Sequence, residues 1–255
     1  MAPPIIIEDQ KLIIKKYFKT KHNLNISKLT KINSFLNTSI QGIIAIKIWR
    51  KRLEKKNKKE ILIYLDEIAS NFNQVIVLGV LGFKIPATIL IRRSYENMDA
   101  FLFYKDHPVE FYLKESELPR KNLKIDEIKA YFEKFPFQIN EYQPFNINKS
   151  QQLIIHLLKH KGDEYSILSN YVHATNHKYF ELNNYLGTVV PNDESLELLD
   201  ARIVEFNTLF NTVFILFFFK EYQTFLESEK KIIRTSIMSG QKRYKKQIQD
   251  IFGEN

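Results

Sequence analysis

Ile61, Leu65, Ile68, Phe72 and Val75 recur at i, i+4, i+7, i+11 and i+14, which puts five apolar side chains on one face of an α-helix. Such a stripe has to be covered by other elements, and little in the chain would stop helices from forming to do so. Only seven glycines and eight prolines occur in 255 residues, and the prolines stand where elements would begin or end. The stretch VIVLGVLGF, 75–83, is apolar enough for a buried strand, but it sits inside helix-periodic sequence, and no strand-like alternation appears elsewhere. The expected fold class is therefore all-α, a bundle of long helices in one domain with ample chain to bury a core.

Boundary signals divide the chain. Residues 1–57 read as N-terminal helices, one over 8–20 and one from about Ser34 to Lys56. Residues 58–115 and 148–227 carry the core periodicities. Pro86 suits the first turn of a helix running to about Tyr104, and His107-Pro108 ends it, because a residue before proline avoids the helical region. Pro119, Pro136 and Pro144 make 116–147 a linker or lid around one amphipathic piece, Ile125 to Phe135. Asn148 or Ser150 would cap the next helix and Gly162 would stop it. Asp163 would open another helix, and Asp193 would cap a long one to about Glu227. A basic helix over 229–251 closes the chain, within a terminal segment 228–255.

Composition narrows the chemistry. The absence of cysteine excludes disulfides, thiolate nucleophiles and cysteine zinc sites, and suits a reducing compartment, with the cytoplasm expected. The start, MAPPIIIEDQ, lacks a basic region leading into a long apolar one, so export is not expected. Residues 74–92 are broken by Lys84 and Pro86, and residues 206–222 hold only about twelve dominantly apolar positions where a bilayer needs about 20. No stable membrane span is expected. The net charge of +9 favours an anionic partner, although an AT-rich genome also enriches lysine.

Two basic clusters could meet phosphates. KIWRKRLEKKNKK, 47–59, sets eight basic residues against one acid and supplies Lys51, Arg52 and Lys55. Residues 229–255 set seven against three and supply Lys242, Arg243, Lys245 and Lys246, with Tyr244 as a possible stacking group. A solvated helix end is the favoured reading of the first cluster and an even alternative for the second.

Histidine spacing is the next signal. Four of the six histidines form two HxxxH pairs, His156 with His160 and His173 with His177. Each pair could grip a metal from one helix face. In a hairpin turning at Gly162, however, the pairs lie at different heights, so a four-histidine site is not expected. Neither a glycine-rich phosphate loop nor a dinucleotide fingerprint nor a GxSxG elbow is present, and no cofactor is implied. In YSILSNYVHATNH, 165–177, Ser166, Ser169 and His173 share one helical face. In IRRSYENMD, 91–99, Arg92 and Arg93 fall within reach of Glu96, in apolar surroundings that would force a buried charge to be paired or functional.

PATILIRRSYENMDAFLFYKDHPVEFYL together with YSILSNYVHA resembles a group of bacterial all-helical proteins associated with the HEPN superfamily and with abortive-infection, anti-phage loci. The likeness spans roughly residues 60–180. It implies a HEPN-like bundle in which Arg92 or Arg93, Glu96, Ser169 and His173 converge, and an effector acting on RNA, a metal-independent ribonuclease in which arginine binds phosphate, His173 moves a proton and Glu96 orients one of them. HEPN ribonucleases carry an arginine five to seven residues before a histidine. This sequence has none, so the two would have to come from different helices. The alternatives are a non-catalytic regulatory subunit of a defence complex, whose Arg, Glu and His form a buried network, and a membrane-active effector. A protein partner or a homodimer is expected beside RNA.

Overall fold

A computed structural model describes residues 3–116, 125–135, 147–180, 189–237 and 242–252. Among them the chain forms eleven α-helices and no strand. They are α1 (Pro3–His22), α2 (Ile32–Leu53), α3 (Lys59–Leu81), α4 (Lys84–Tyr104), α5 (Pro108–Glu115), α6 (Ile125–Glu133), α7 (Ile147–Val172), α8 (Asp193–Phe217), α9 (Phe219–Gln223), α10 (Glu227–Ser236) and α11 (Lys242–Phe252). The all-α class expected from periodicity is the observed one.

The stripe Ile61, Leu65, Ile68, Phe72 and Val75 is buried along α3, which packs lengthwise against α4. Gly82 makes that hairpin possible: it sits at φ 90° as the C-cap of α3, and Phe83 N–H returns to the Leu78 carbonyl at 2.8 Å. A side chain there would also run into the Val190 carbonyl, 2.7 Å from an added Cβ. By length and composition α3 alone among the described helices could cross a bilayer, yet half of its apolar window is buried inside the bundle.

The core centres on α8, where every residue from Phe206 to Phe217 is buried. Helix α2 comes close because Gly42 faces Asn207 with no room for a Cβ. Asn207 Nδ2 donates to the Thr38 carbonyl at 3.1 Å, and the fully buried Trp49 donates to Asn211 Oδ1 at 3.1 Å. Buried polar groups on α8 are thus spent on holding α2. Rings of Phe225 and Phe214 meet Trp49 edge-on at 4.9 and 5.5 Å.

Several boundaries differ from expectation. Asn192, not Asp193, caps α8, accepting from Ser195 N–H at 2.8 Å. Asp193 instead accepts the Lys31 backbone N–H at 2.9 Å and the Thr30 hydroxyl at 3.0 Å; Lys31 is the cap position of α2 and its side chain makes no capping bond. These bonds hold the Asp193 carboxyl below the usual range, the backbone N–H of Lys31 foremost. The long C-terminal helices are broken at Phe218 and after Ser236, and residues 238–241 lie outside the described set.

The largest departure is α7, which runs unbroken for 26 residues through Gly162. Nothing lies within 4 Å of a Cβ placed there. An exposed glycine costs a helix only about 1 kcal/mol against alanine, and side chains anchored on both sides of Gly162 outweigh that. The helix ends instead at Val172, with Ala174 left-handed at φ 47° and Thr175 N–H returning to the Asn170 carbonyl at 3.3 Å. Of the expected lid, α6 is described and buries Phe132; the rest of 116–147, apart from Ser116, Lys134, Phe135 and Ile147, lies outside the described residues.

Candidate functional site

On α4, Arg92, Tyr95, Glu96 and Asp99 follow one another at i, i+3, i+4 and i+7, and so share a face. On α7, Lys161, Glu164, Tyr165 and Leu168 do the same. The two faces meet, and α8 closes the third side with Arg202 and Glu205. The result is a seam of paired charges running up α7.

At its upper end Arg92 Nη2 donates to Tyr165 Oη at 2.8 Å, and the guanidinium lies 4.8 Å from the Tyr165 ring centroid. The same hydroxyl donates to Glu96 Oε1 at 2.8 Å, while Arg92 Nε stands 3.2 Å from that oxygen. One turn down α7, Lys161 Nζ contacts both Asp99 oxygens at 2.7 Å, with both side chains less than a fifth exposed. Glu164 accepts from Arg202 at 2.7 Å. Below these, His160 Nε2 is 3.0 Å from Glu205, and its Nδ1 is 2.9 Å from the hydroxyl of Tyr244 on α11. An imidazole donating from Nε2 can accept the Tyr244 proton at Nδ1, so one ring ties α7 to both α8 and α11.

Desolvation dominates the electrostatics. Burial raises the Asp99 carboxyl above its usual range despite Lys161, and burial likewise raises Glu164 despite Arg202. Tyr165 is pushed up by burial first, with Arg92 opposing. Tyr95 stands among these charges, 1% exposed, and burial puts its hydroxyl well above the ordinary phenol range. Its oxygen has no hydrogen-bond partner among the described residues.

Arg92 and Glu96 of the expected site therefore come together, joined by a residue 73 positions from Arg92. The other expected members stand elsewhere. Arg93 points to α3 and pairs with Glu67 at 3.0 Å, largely exposed. Ser169 is half-buried one turn beyond Tyr165, and His173 is exposed past the last residue of α7. Eight residues separate Tyr165 from His173, about 12 Å of helical rise, and no described side chain bonds to the His173 ring. His156 and His177 are exposed too, and no three His, Cys, Asp or Glu side chains form a metal site among the described residues.

The basic clusters are also sorted by the fold. Arg52 pairs with Glu229 and lies over the Phe225 ring, so it ties α2 to α10. Lys47 and Lys51 are exposed at i, i+4 on the side of α2 opposite Trp49, and Lys55, exposed too, follows in the turn just past the end of the helix at Leu53. Among the described residues no carboxylate pairs with any of the three; the nearest acids in sequence and across the helix pair, Glu54 and Asp66, both bind Arg50. In the tail, Lys246 is exposed, Lys245 lines a cavity, and the side chains of Lys242 and Arg243 lie outside the described residues. Tyr244 is fully buried, which removes it as a stacking group for bases.

Sequence reasoning passed over Tyr165, Lys161, His160 and Lys47 in these roles. Lys161 and Tyr165 stand at i, i+4 and share a face, with His160 on the flank beside it, only if the helix continues through Gly162. Lys47 was visible as the i−4 neighbour of Lys51.

The fold and the seam together define an all-α bundle whose interior charges satisfy one another. The cavity beside Lys161 is about 10 Å³, no more than a single water needs. Comparison with protein-family models, curated proteins and solved structures finds no match to this chain.

Proposed function

We propose that this protein is a non-catalytic binding module for nucleic acid, RNA foremost, which uses the lysine row of α2, while the Arg92–Tyr165–Glu96 group holds the bundle together. The observation that carries this reading is the row itself: Lys47 and Lys51 at helical i, i+4 spacing and Lys55 in the turn that follows are exposed with no paired carboxylate among the described residues. Lys47 and Lys51 sit about 6 Å apart along the axis and Lys55 lies just past the helix end, so each can neutralise a different phosphate of a strand lying along α2. Arg92, by contrast, is engaged by Tyr165 and Glu96 and is not free to take a phosphate.

Fluorescence anisotropy with a labelled 20-nucleotide single strand tests the reading. The triple variant Lys47→Gln, Lys51→Gln, Lys55→Gln should bind roughly tenfold or more weakly, and its log–log salt slope should be smaller by about 2, near 0.7 per lost phosphate contact. Equal affinity and slope for the two proteins would refute it.

A second reading, an RNA-cleaving effector in anti-phage defence, is favoured by the solvent access of the His173 imidazole, which proton transfer from a ribose hydroxyl requires. It needs an arginine brought to His173 from outside the seam. RNA ends that vanish in His173→Ala, with binding intact, would select this reading over the first.

A further inference from the structure

A cavity of about 240 Å³, partly open to solvent, lies against α8, α9, α10 and α11. Among the described residues its apolar lining is Ile215, Ile237 and Ile248, none more than 6% exposed, with the buried Tyr222, and the exposed Gln249 stands at its edge. Two cations stand at the same cavity, Arg234 of α10 and Lys245 of α11. Arg234 is held in place by donating from Nε to Tyr222 Oη at 3.0 Å. Lys245 is half-buried, and no carboxylate pairs with it among the described residues.

An apolar chamber of about 150 Å³ is enough to take up a benzene ring. A larger one with an unpaired ammonium in its wall suits an apolar body that carries an anion, because the anion supplies the counter-charge that the ammonium lacks and the hydrocarbon replaces poorly bonded water. We propose that this cavity binds a small amphiphilic carboxylate, of about eight carbons, with its carboxylate at Lys245 and its chain against the three isoleucines. Burial pushes the Lys245 ammonium down from its usual range, and a bound anion would reverse that. The site is separate from the lysine row of α2, and its occupant ties α10 to α11 and so bears on the hold that Tyr244 has on His160.

Isothermal titration of the full chain with octanoate, and with 1-octanol as the uncharged counterpart, decides the matter. Octanoate should bind saturably at one site, and octanol at least tenfold more weakly. Lys245→Gln should weaken octanoate about tenfold while leaving octanol unchanged. Ile248→Phe, which fills the chamber, should abolish both; if its melting shows that it does not fold, Lys245→Gln carries the test alone. Absence of saturable octanoate binding, equal affinity for octanol, or an unaffected Lys245→Gln would each overturn the proposal. Octanoate binding that persists in the α2 triple lysine variant is expected, so loss of RNA binding and loss of this site are told apart.

Discussion

Two stretches of α7 and its continuation are built from similar residue types and meet opposite fates. Between Leu157 and Leu168 every polar group on the inner face has an opposite number: Lys161 with Asp99, Glu164 with Arg202, Tyr165 with Arg92 and Glu96, and His160 with Glu205 and Tyr244. Between Ser169 and His177 the side-chain hydrogen bonds of Asn170 stay within the stretch and its own turn. Asn170 donates to Tyr179 Oη at 3.3 Å and accepts from Thr175 at 3.0 Å, while both histidines face solvent. The difference lies in what faces each turn, since Leu157 and Leu168 are fully buried against the bundle and no residue after Leu168 in this stretch is. Identity of side chain does not decide whether a histidine is structural or available; its height on the helix does.

The contrast can be broken most severely at Lys161. Lys161→Met leaves the Asp99 carboxylate buried without its cation and should cost about 3 kcal/mol in urea unfolding at pH 7. The Asp99 pKa is already raised in the folded chain, so the native state binds this proton more tightly than the unfolded state. Its contribution to stability therefore falls as pH rises from the ordinary value of 3.8 through the raised one. Removing Lys161 raises that pKa further, and the deficit of the variant should shrink near pH 4. A deficit equal at both pH values would mean that the pair is not the cause.

Tyr165→Phe comes next. It deletes one hydroxyl that both accepts from Arg92 and donates to Glu96 but keeps the ring under the guanidinium, so a loss of about 1–2 kcal/mol is expected. Tyr95→Phe should have the opposite sign. Its hydroxyl is buried without a hydrogen-bond partner among the described residues, and removing it should leave stability unchanged or raise it by about 1 kcal/mol; a loss would reveal a partner for that oxygen. The smallest effect belongs to the far stretch, where His173→Ala should stay within about 0.5 kcal/mol of the parent in the same unfolding assay. A larger drop would place that imidazole with the built-in residues and erase the comparison.

How far the sequence could be read follows the same line. The α3 stripe was legible because five apolar residues at one period leave a single face to bury. The Arg92–Glu96 neighbourhood was legible because charges amid apolar residues need partners. The identity of the partner was not, since Tyr165 becomes the neighbour of Arg92 only once α4 and α7 are in register, and register is set by side-chain shapes across the interface. Gly162 misled because a glycine's local preference to end a helix is small beside the tertiary anchors on both sides of it. Tyr244 misled because a basic neighbourhood in sequence says nothing about which way one aromatic ring turns. Asp193 was recognised as a capping type, but for the wrong helix: its carboxylate serves α2, more than 160 positions away.

The unbroken course of α7 has a dynamic consequence. Its inner face is fastened at three successive turns to three different helices, so no single turn between Leu157 and Leu168 can open without straining the next. Backbone amides of that span should exchange with deuterium as one slow group, governed by a shared opening event. Those from Ser169 onward, beyond the last anchor, should exchange individually and early, and the chain would then read out, on one rod, where the protein is welded and where it merely touches.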